Sequence, residues 1–286
     1  MTLTTPATAD ASPGGERPDA LHRRYGGDAA DAPADVRRTA VLDGLLAHRS
    51  VRHYLPDALD PDVVPTLVAA AQSAPTSSNL QLWSVVAVTD VERKARLSVL
   101  ANDQQHIRDA PLFLVWLADV ARARAIAADA GVRLEGTDYL ETTLVAFLDA
   151  ALAAQNAVVA AESLGLGTVY IGGIRNNPLE VAAELGLPDG VVAVVGLAVG
   201  HPDPGGGDPV KPRLPQAAVL HRETYDGAAH LAHVATYEER IAPFYAGEGL
   251  AAGWRERVVN RLRDAASLHG RHELRDHLGA RGFPSV

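Results

Sequence analysis

One stretch constrains the fold of this 286-residue chain more than any other. YLETTLVAFLDAALAAQNAVVAAESL, residues 139–164, carries a helical signal long enough to suggest a membrane span. Glu141, Asp149, Gln155, Asn156 and Glu162 interrupt it too often for hydrocarbon, so the pattern predicts a central buried helix. Gly165 and Gly167 stop it, TVYIGG reads as a strand running into a glycine turn, Pro178 opens a short helix, and VVAVVGLAVG reads as another strand.

Upstream, Val41, Leu42, Leu45 and Leu46 stand at helical spacing before His48. Asp60-Pro61 predicts an N-cap and first turn for a second helix, VVPTLVAAAQ, ending before Pro75. Ser84 to Val88 and Leu112 to Leu117 read as buried strands, with Asp90 capping a helix between them. Helical stretches follow near Thr236 to Tyr245, Trp254 to Ala265 and Glu273 to Leu278. The class is α+β, without a strict βαβ alternation.

Residues 1–37, rich in Ala, Asp, Pro, Gly and Thr, show no sustained apolar period and read as a mobile arm. Arg23-Arg24 is followed by YGGDAADAP, not by an apolar run, so no secretory signal is expected and a cytoplasmic setting is the default. The terminal part has too few large apolar residues to form a core alone, which suits a role in wrapping a partner subunit or the main domain.

With 47% apolar and 21% charged residues the chain can bury a core without staples. The absence of cysteine excludes thiolate catalysis, disulfides, iron–sulfur ligation and cysteine zinc sites. A net charge of -9 argues against nucleic acid or anionic membrane as a general partner, so bound anions must be held locally. Only Lys94 and Lys211 are lysines among 26 Lys and Arg residues, which makes each an exception to explain.

Four segments carry candidate chemistry. HRSVRHY, His48 to Tyr54, gathers arginines, histidines and a serine and suits an anion, or else is a solvated basic turn. SAPTSSNLQLW, Ser73 to Trp83, offers hydroxyls and amides to a polar heterocycle; in isolation a plain polar loop explains it better. GLGTVYIGGIRNN ends a helix and precedes a strand, the wrong context for a dinucleotide fingerprint, and leaves Gly172-Gly173 for close backbone approach to a flat ligand. In VKPRLP, Lys211 and Arg213 point the same way along an extended segment and can converge on one dianion. His269, His272 and His277 fit a solvated helix better than a metal site, and no hydrolase triad order is present.

Taken in order, HRSVRHY, the Ser-Ser-x-x-Gln loop, AAQNAVVAAESLGLGTVYIGGIRNN and KPRLP resemble the FMN-dependent nitroreductase superfamily, specifically its A-type oxygen-insensitive NADPH nitroreductases and NADPH flavin oxidoreductases. The similarity spans His48 to Tyr245 and weakens beyond. It implies an α-β-α layered fold with a mixed, mainly antiparallel sheet, FMN at a homodimer interface, and a C-terminal extension, residues 246–286, wrapping the partner of a 38–245 FMN-binding domain.

Carried onto matching positions, the resemblance assigns the phosphate to His48, Ser50, Lys211 and Arg213, with Arg49 in the same motif, and the N1/O2 edge of the flavin to Arg52. Ser77, Ser78 and Gln81 would meet the flavin from the neighbouring chain, Gln104 and His106 match a QxH segment, and Tyr170, Ile171, Gly172 and Gly173 match the stretch beside N5 and O4. Arg175 would stabilise that turn. FMN carries the chemistry, so no side chain acts as a nucleophile, and a fixed cation at Arg52 favours uptake of an electron pair.

The implied activity is ping-pong hydride transfer from NADPH or NADH through FMN to nitroaromatics, quinones or flavins, with small-molecule acceptors as the partners. Supply of reduced flavin to a monooxygenase, a non-catalytic flavin-binding role, and tailoring chemistry on a small molecule are the alternatives. Similar proteins carry adjacent arginines for the NADPH phosphate before a tryptophan. Here AGEGLAAG, between Tyr245 and Trp254, has none, leaving Arg255 or Arg257 to substitute. The Ser73–Trp83 loop, with Asn79 and Trp83, is closer to the wider superfamily.

Overall fold

The computed structural model describes residues 20–26, 33 and 35–286. Most of the proposed N-terminal arm lies outside the described residues. In chain order the helices are α1 (Ala20–Tyr25), α2 (Ala40–Ala47), α3 (Val63–Gln72), α4 (Val91–Leu100), α5 (Gln105–Asp109), α6 (Ala121–Asp129), α7 (Leu140–Ser163), α8 (Pro178–Leu185), α9 (His230–Gly247), α10 (Trp254–Leu262) and α11 (Leu274–Ala280). The strands are β1 (Trp83–Val88), β2 (Leu112–Asp119), β3 (Gly167–Ile171) and β4 (Val191–Gly200).

The strands form one sheet in the order β1-β2-β4-β3, each neighbouring pair antiparallel. Parallel pairing among the described residues is the isolated Ser50–Thr168 bridge. Alternation along β2 divides the core. Leu112, Leu114, Trp116 and Ala118 face α3 and α7, while Phe113, Val115 and Leu117 face a second cluster with Leu97, Ile107 and Val181 from α4, α5 and α8. The result is the expected three-layer α-β-α arrangement.

α7 is long and apolar enough, by length and composition, to cross a membrane. In this fold its small face, Ala146, Ala150, Ala153, Ala154, Ala157 and Ala161, is fully buried against the sheet. Alanine keeps helix propensity high and lets the helix approach the strands closely. Asp149 shares that buried side, at 2% exposure. Its carboxylate accepts the Ser77 and Leu82 amides, both at 3.1 Å, and so pins both ends of the loop before β1. That loop holds Ser78, Asn79 and Gln81 at φ of 50°, 54° and 52°, a left-handed region costly for non-glycine residues.

Several expectations shift. α3 spans the VVPTLVAAAQ run as expected, but its N-cap is Asp62, not Asp60, and no side chain caps it. Within the supposed mobile arm, Ala20–Tyr25 is a helix, with Leu21 and Arg24 buried; tertiary bonds described below hold this short helix. The extension does not leave its own chain entirely: Phe283 is fully buried in the main core, and the Val286 amide donates to the Asp138 carbonyl at 3.0 Å. Lys94 is explained by structure, since its buried ammonium donates to the Arg108 and Ala110 carbonyls at the end of α5.

Replacing Asp149 with Ala orphans two loop amides and should cost about 3 kcal/mol of unfolding free energy in urea titration. Asp149→Asn, which keeps one acceptor, should cost less. Equal stability of all three proteins would contradict the loop-pinning role.

Candidate active site

The segment after α2 is laid along the sheet by backbone bonds. The Val51 amide donates to the Thr168 carbonyl and the Leu55 amide to the His201 carbonyl, both at 2.9 Å. Val51 is buried beside Gly167, where a Cβ would come within 2.7 Å of the valine side chain. Strand alternation then sends Ser50 and Arg52 away from Val51 and into one small cavity. Asp208 fixes this run from the glycine-rich loop, accepting the Arg52 amide at 3.1 Å and the His53 amide at 3.4 Å. A Cβ on Gly206 would sit 2.4 Å from the His53 side chain, so glycine permits the approach.

That cavity joins the first and fourth motifs. Arg24, His48, Arg49, Ser50, Arg52, Lys211 and Arg213 line it together with Asp208, Pro209, Phe244 and Glu248. The Nδ1 of His48 lies 2.5 Å from the Glu162 carboxylate, so that nitrogen carries the proton. The Lys211 ammonium sits 5.1 Å above the Phe244 ring. Burial first, then the Arg52 and Arg213 charges, push the Lys211 ammonium below its usual range. Five lysine and arginine side chains against two carboxylates make this a site short of negative charge.

A second group of residues meets around the glycine turn after β3. A Cβ on Gly173 would come within 2.5 Å of the Ala101 carbonyl oxygen and 2.7 Å of the Gln104 amide nitrogen, so the QxH segment is packed directly on that turn. Gln104 spends its amide on the Ala101 carbonyl at 2.6 Å. The Nε2 of His106 is buried without a partner. Burial first, and then the nearby Arg52 charge, hold its pKa below the usual histidine range. Tyr170 donates its hydroxyl to Gln155 at 3.3 Å, and burial raises its pKa. Ile171 is buried in the core. Arg175 donates to the carbonyl of Val194, the residue at the β2–β4 bulge, and so ties the segment after Gly173 to β4.

Ser77, Ser78 and Gln81 do not line the basic cavity; they sit on the exposed strained loop. Arg24, Asp208, Arg261 and Arg271, and Asp149 behind the loop, belong to none of the four sequence motifs. Arg271 and Arg175 approach the open side of Gly172, with nitrogens 3.8 Å and 3.6 Å from its Cβ position, and Arg261 lies in their field. Arg261 and Arg257 also line a cleft of about 790 Å³ with Tyr245 and Trp254. The signal for these was a basic run, RERVVNRLR, in an otherwise acidic chain.

The "Nitroreductase family" model matches residues 45–201, and the "Nitroreductase family, C-terminal domain" model matches residues 211–285. The chain is 38% identical to FMN reductase (NADPH) of Bacillus subtilis, over 85% of this chain and 97% of that one. It is 37% identical to oxygen-insensitive NADPH nitroreductase of Salmonella typhimurium, over 82% and 90%. The solved NfrA1 nitroreductase of Bacillus subtilis superposes with a TM-score of 0.79 at 37% identity, covering 86% of this chain and all of that one. With its layered fold and converging basic motifs already in place, the chain belongs to the nitroreductase family.

Proposed function

We propose that this chain is an FMN-dependent oxidoreductase that takes hydride from a reduced nicotinamide coenzyme and delivers electrons to small acceptors such as nitroaromatics, quinones or flavins. The observation that carries the reading is the convergence of His48, Ser50, Arg52, Lys211 and Arg213 on one cavity. Its surplus of positive charge, with Arg24 buried and Lys211 half-buried, fits a phosphate dianion, and the unpartnered Nε2 of His106 fits a polar ring nearby. Bound FMN supplies the redox chemistry by accepting a hydride and passing on an electron pair.

In this reading Lys211, Arg213, His48 and Ser50 grip the phosphate, with Arg49 beside them. Arg52 holds positive charge where the ring becomes more negative on reduction, and the Tyr170–Gly173 stretch with Gln104 and His106 borders the ring. Arg257, Arg261 and Arg271 offer the donor's phosphates the positive charge absent from the Tyr245–Trp254 segment. The relative named FMN reductase supports free flavin as one acceptor. A reduced nicotinamide donor suits a cytoplasmic setting.

The working unit in this proposal is a homodimer. Leu140, Leu144, Leu148 and Leu152 recur every fourth residue along α7, between 43% and 61% exposed, and form one apolar row. Leu140 and Leu144 also line an apolar cleft of about 410 Å³ with Phe147, Leu274 and Leu278. A second copy on this face would bring its Ser77, Ser78 and Gln81 to the flavin. Exposed Leu231, Val259 and Leu262 suit residues 246–286 and the adjoining α9 to embracing that copy.

Purified protein should be yellow and should bleach anaerobically with NADPH or NADH; protein that takes up FMN yet bleaches with neither is a flavin-binding protein and contradicts the enzyme reading. Steady-state rates with the two donors, and with FMN against a nitroarene, assign donor and acceptor. Arg52→Ala should slow hydride uptake about tenfold while retaining FMN, and an unchanged stopped-flow rate would remove its electrostatic role.

Lys211→Ala should weaken FMN binding by about 10- to 100-fold in fluorescence titration. The fold holds Lys211 below its unfolded value of 10.5. Wild-type stability relative to Lys211→Met should therefore rise with pH through the window between the two values, and bound FMN should flatten that rise. Leu148→Glu should yield a monomer on size exclusion that no longer holds FMN; an intact dimer would contradict the α7 interface.

A further inference from the structure

Both family matches begin beyond α1, the first at residue 45, yet α1 contributes a wall to the basic cavity. Arg24 is 7% exposed. Its guanidinium donates to three backbone carbonyls: Leu46 at 3.1 Å, Lys211 at 2.8 Å, and His48 in a shorter contact. His48 and Lys211 belong to motifs at opposite ends of the sequence, and a single side chain spans them. The link is doubled by the Arg213 amide, which donates to the Arg24 carbonyl at 2.8 Å. Gly26, just past the helix, packs on Pro212, whose ring would lie 3.0 Å from a Cβ at that position.

An arginine carries five N–H donors in a planar fork, and three are committed to these carbonyls. Two remain on a residue that lines the cavity. Burial, and after it the Arg213 charge, lower the proton affinity of Arg24, so its charge is costly without a facing anion. A facing anion relieves that cost.

We propose that Arg24 is a positioning residue of the phosphate site. It braces the His48 and Lys211 segments at the spacing a phosphate needs and turns its remaining donors and charge toward that group, which makes cofactor retention depend on the N-terminal segment. This rests on the FMN reading above. A lysine at position 24 would keep the charge but could not serve three carbonyls through one rigid fork.

The test is flavin fluorescence titration of the full chain, wild type and the variants Arg24→Ala, Arg24→Lys and Lys211→Ala, with FMN and with riboflavin, which lacks the phosphate. The FMN-to-riboflavin affinity ratio is the readout that general loosening of the fold would not move, and riboflavin binding reports that each variant is folded. Arg24→Ala should lose about tenfold in FMN affinity with riboflavin affinity within about twofold of wild type, and Arg24→Lys should recover only part of that loss. The proposal is overturned if Arg24→Ala retains wild-type FMN affinity, if FMN and riboflavin weaken equally, or if Arg24→Lys recovers fully. Should Lys211→Ala also leave FMN binding untouched, the phosphate reading itself fails; loss in Lys211→Ala alone sinks only the role of Arg24.

Discussion

Like charges brought together in a partly desolvated cavity are the constraint on which the rest of this structure turns. Two unit charges about 4 Å apart repel by about 4 kcal/mol at an effective dielectric near 20, and here Arg24, Arg49, Arg52, Lys211 and Arg213 share one small space. The Lys211 and Arg24 proton affinities are displaced downward, first by burial and then by neighbouring positive charge. An anion in the cavity adds an attraction to each cation that offsets this repulsion. The fold keeps the cluster in place without the anion through backbone bonds to β3, through Asp208, and through the fork of Arg24.

A second level of restraint comes from carboxylates that serve the chain itself. Asp149 reaches from the buried side of α7 to hold a loop with three left-handed non-glycine residues. Glu162, further along α7, accepts from Nδ1 of His48 and orients its ring. The same helix therefore positions residues of the basic cavity and the exposed loop proposed to serve a second copy. Its alanine face lets it lie near the sheet while its acidic side chains work at the margins.

Much of this was legible from residue pattern. The apolar run with polar interruptions gives α7, β-branched runs give the strands, and the capping aspartate at position 90 accepts the Arg93 amide as expected. The pairing of HRSVRHY with KPRLP was legible through motif order and resemblance. What periodicity could not show are long-range bonds made by single polar residues: Asp149 reads only as a break in a helix, Asp208 only as part of a glycine-rich loop. α1 has six residues, too few for intrinsic stability, amid a composition that signals disorder, so only its tertiary bonds reveal it. The return of Phe283 to the core was hidden for the same reason.

The central claim is that a phosphate monoester sits as a dianion among these cations. Phosphorus NMR of the protein with bound FMN across pH 5 to 8 tests it directly, because a free phosphate monoester has its second pKa at about 6. A single bound resonance should stay in the dianion position throughout, its protonation pushed below the range by the surrounding charges. A bound resonance that titrates near the free value would contradict it.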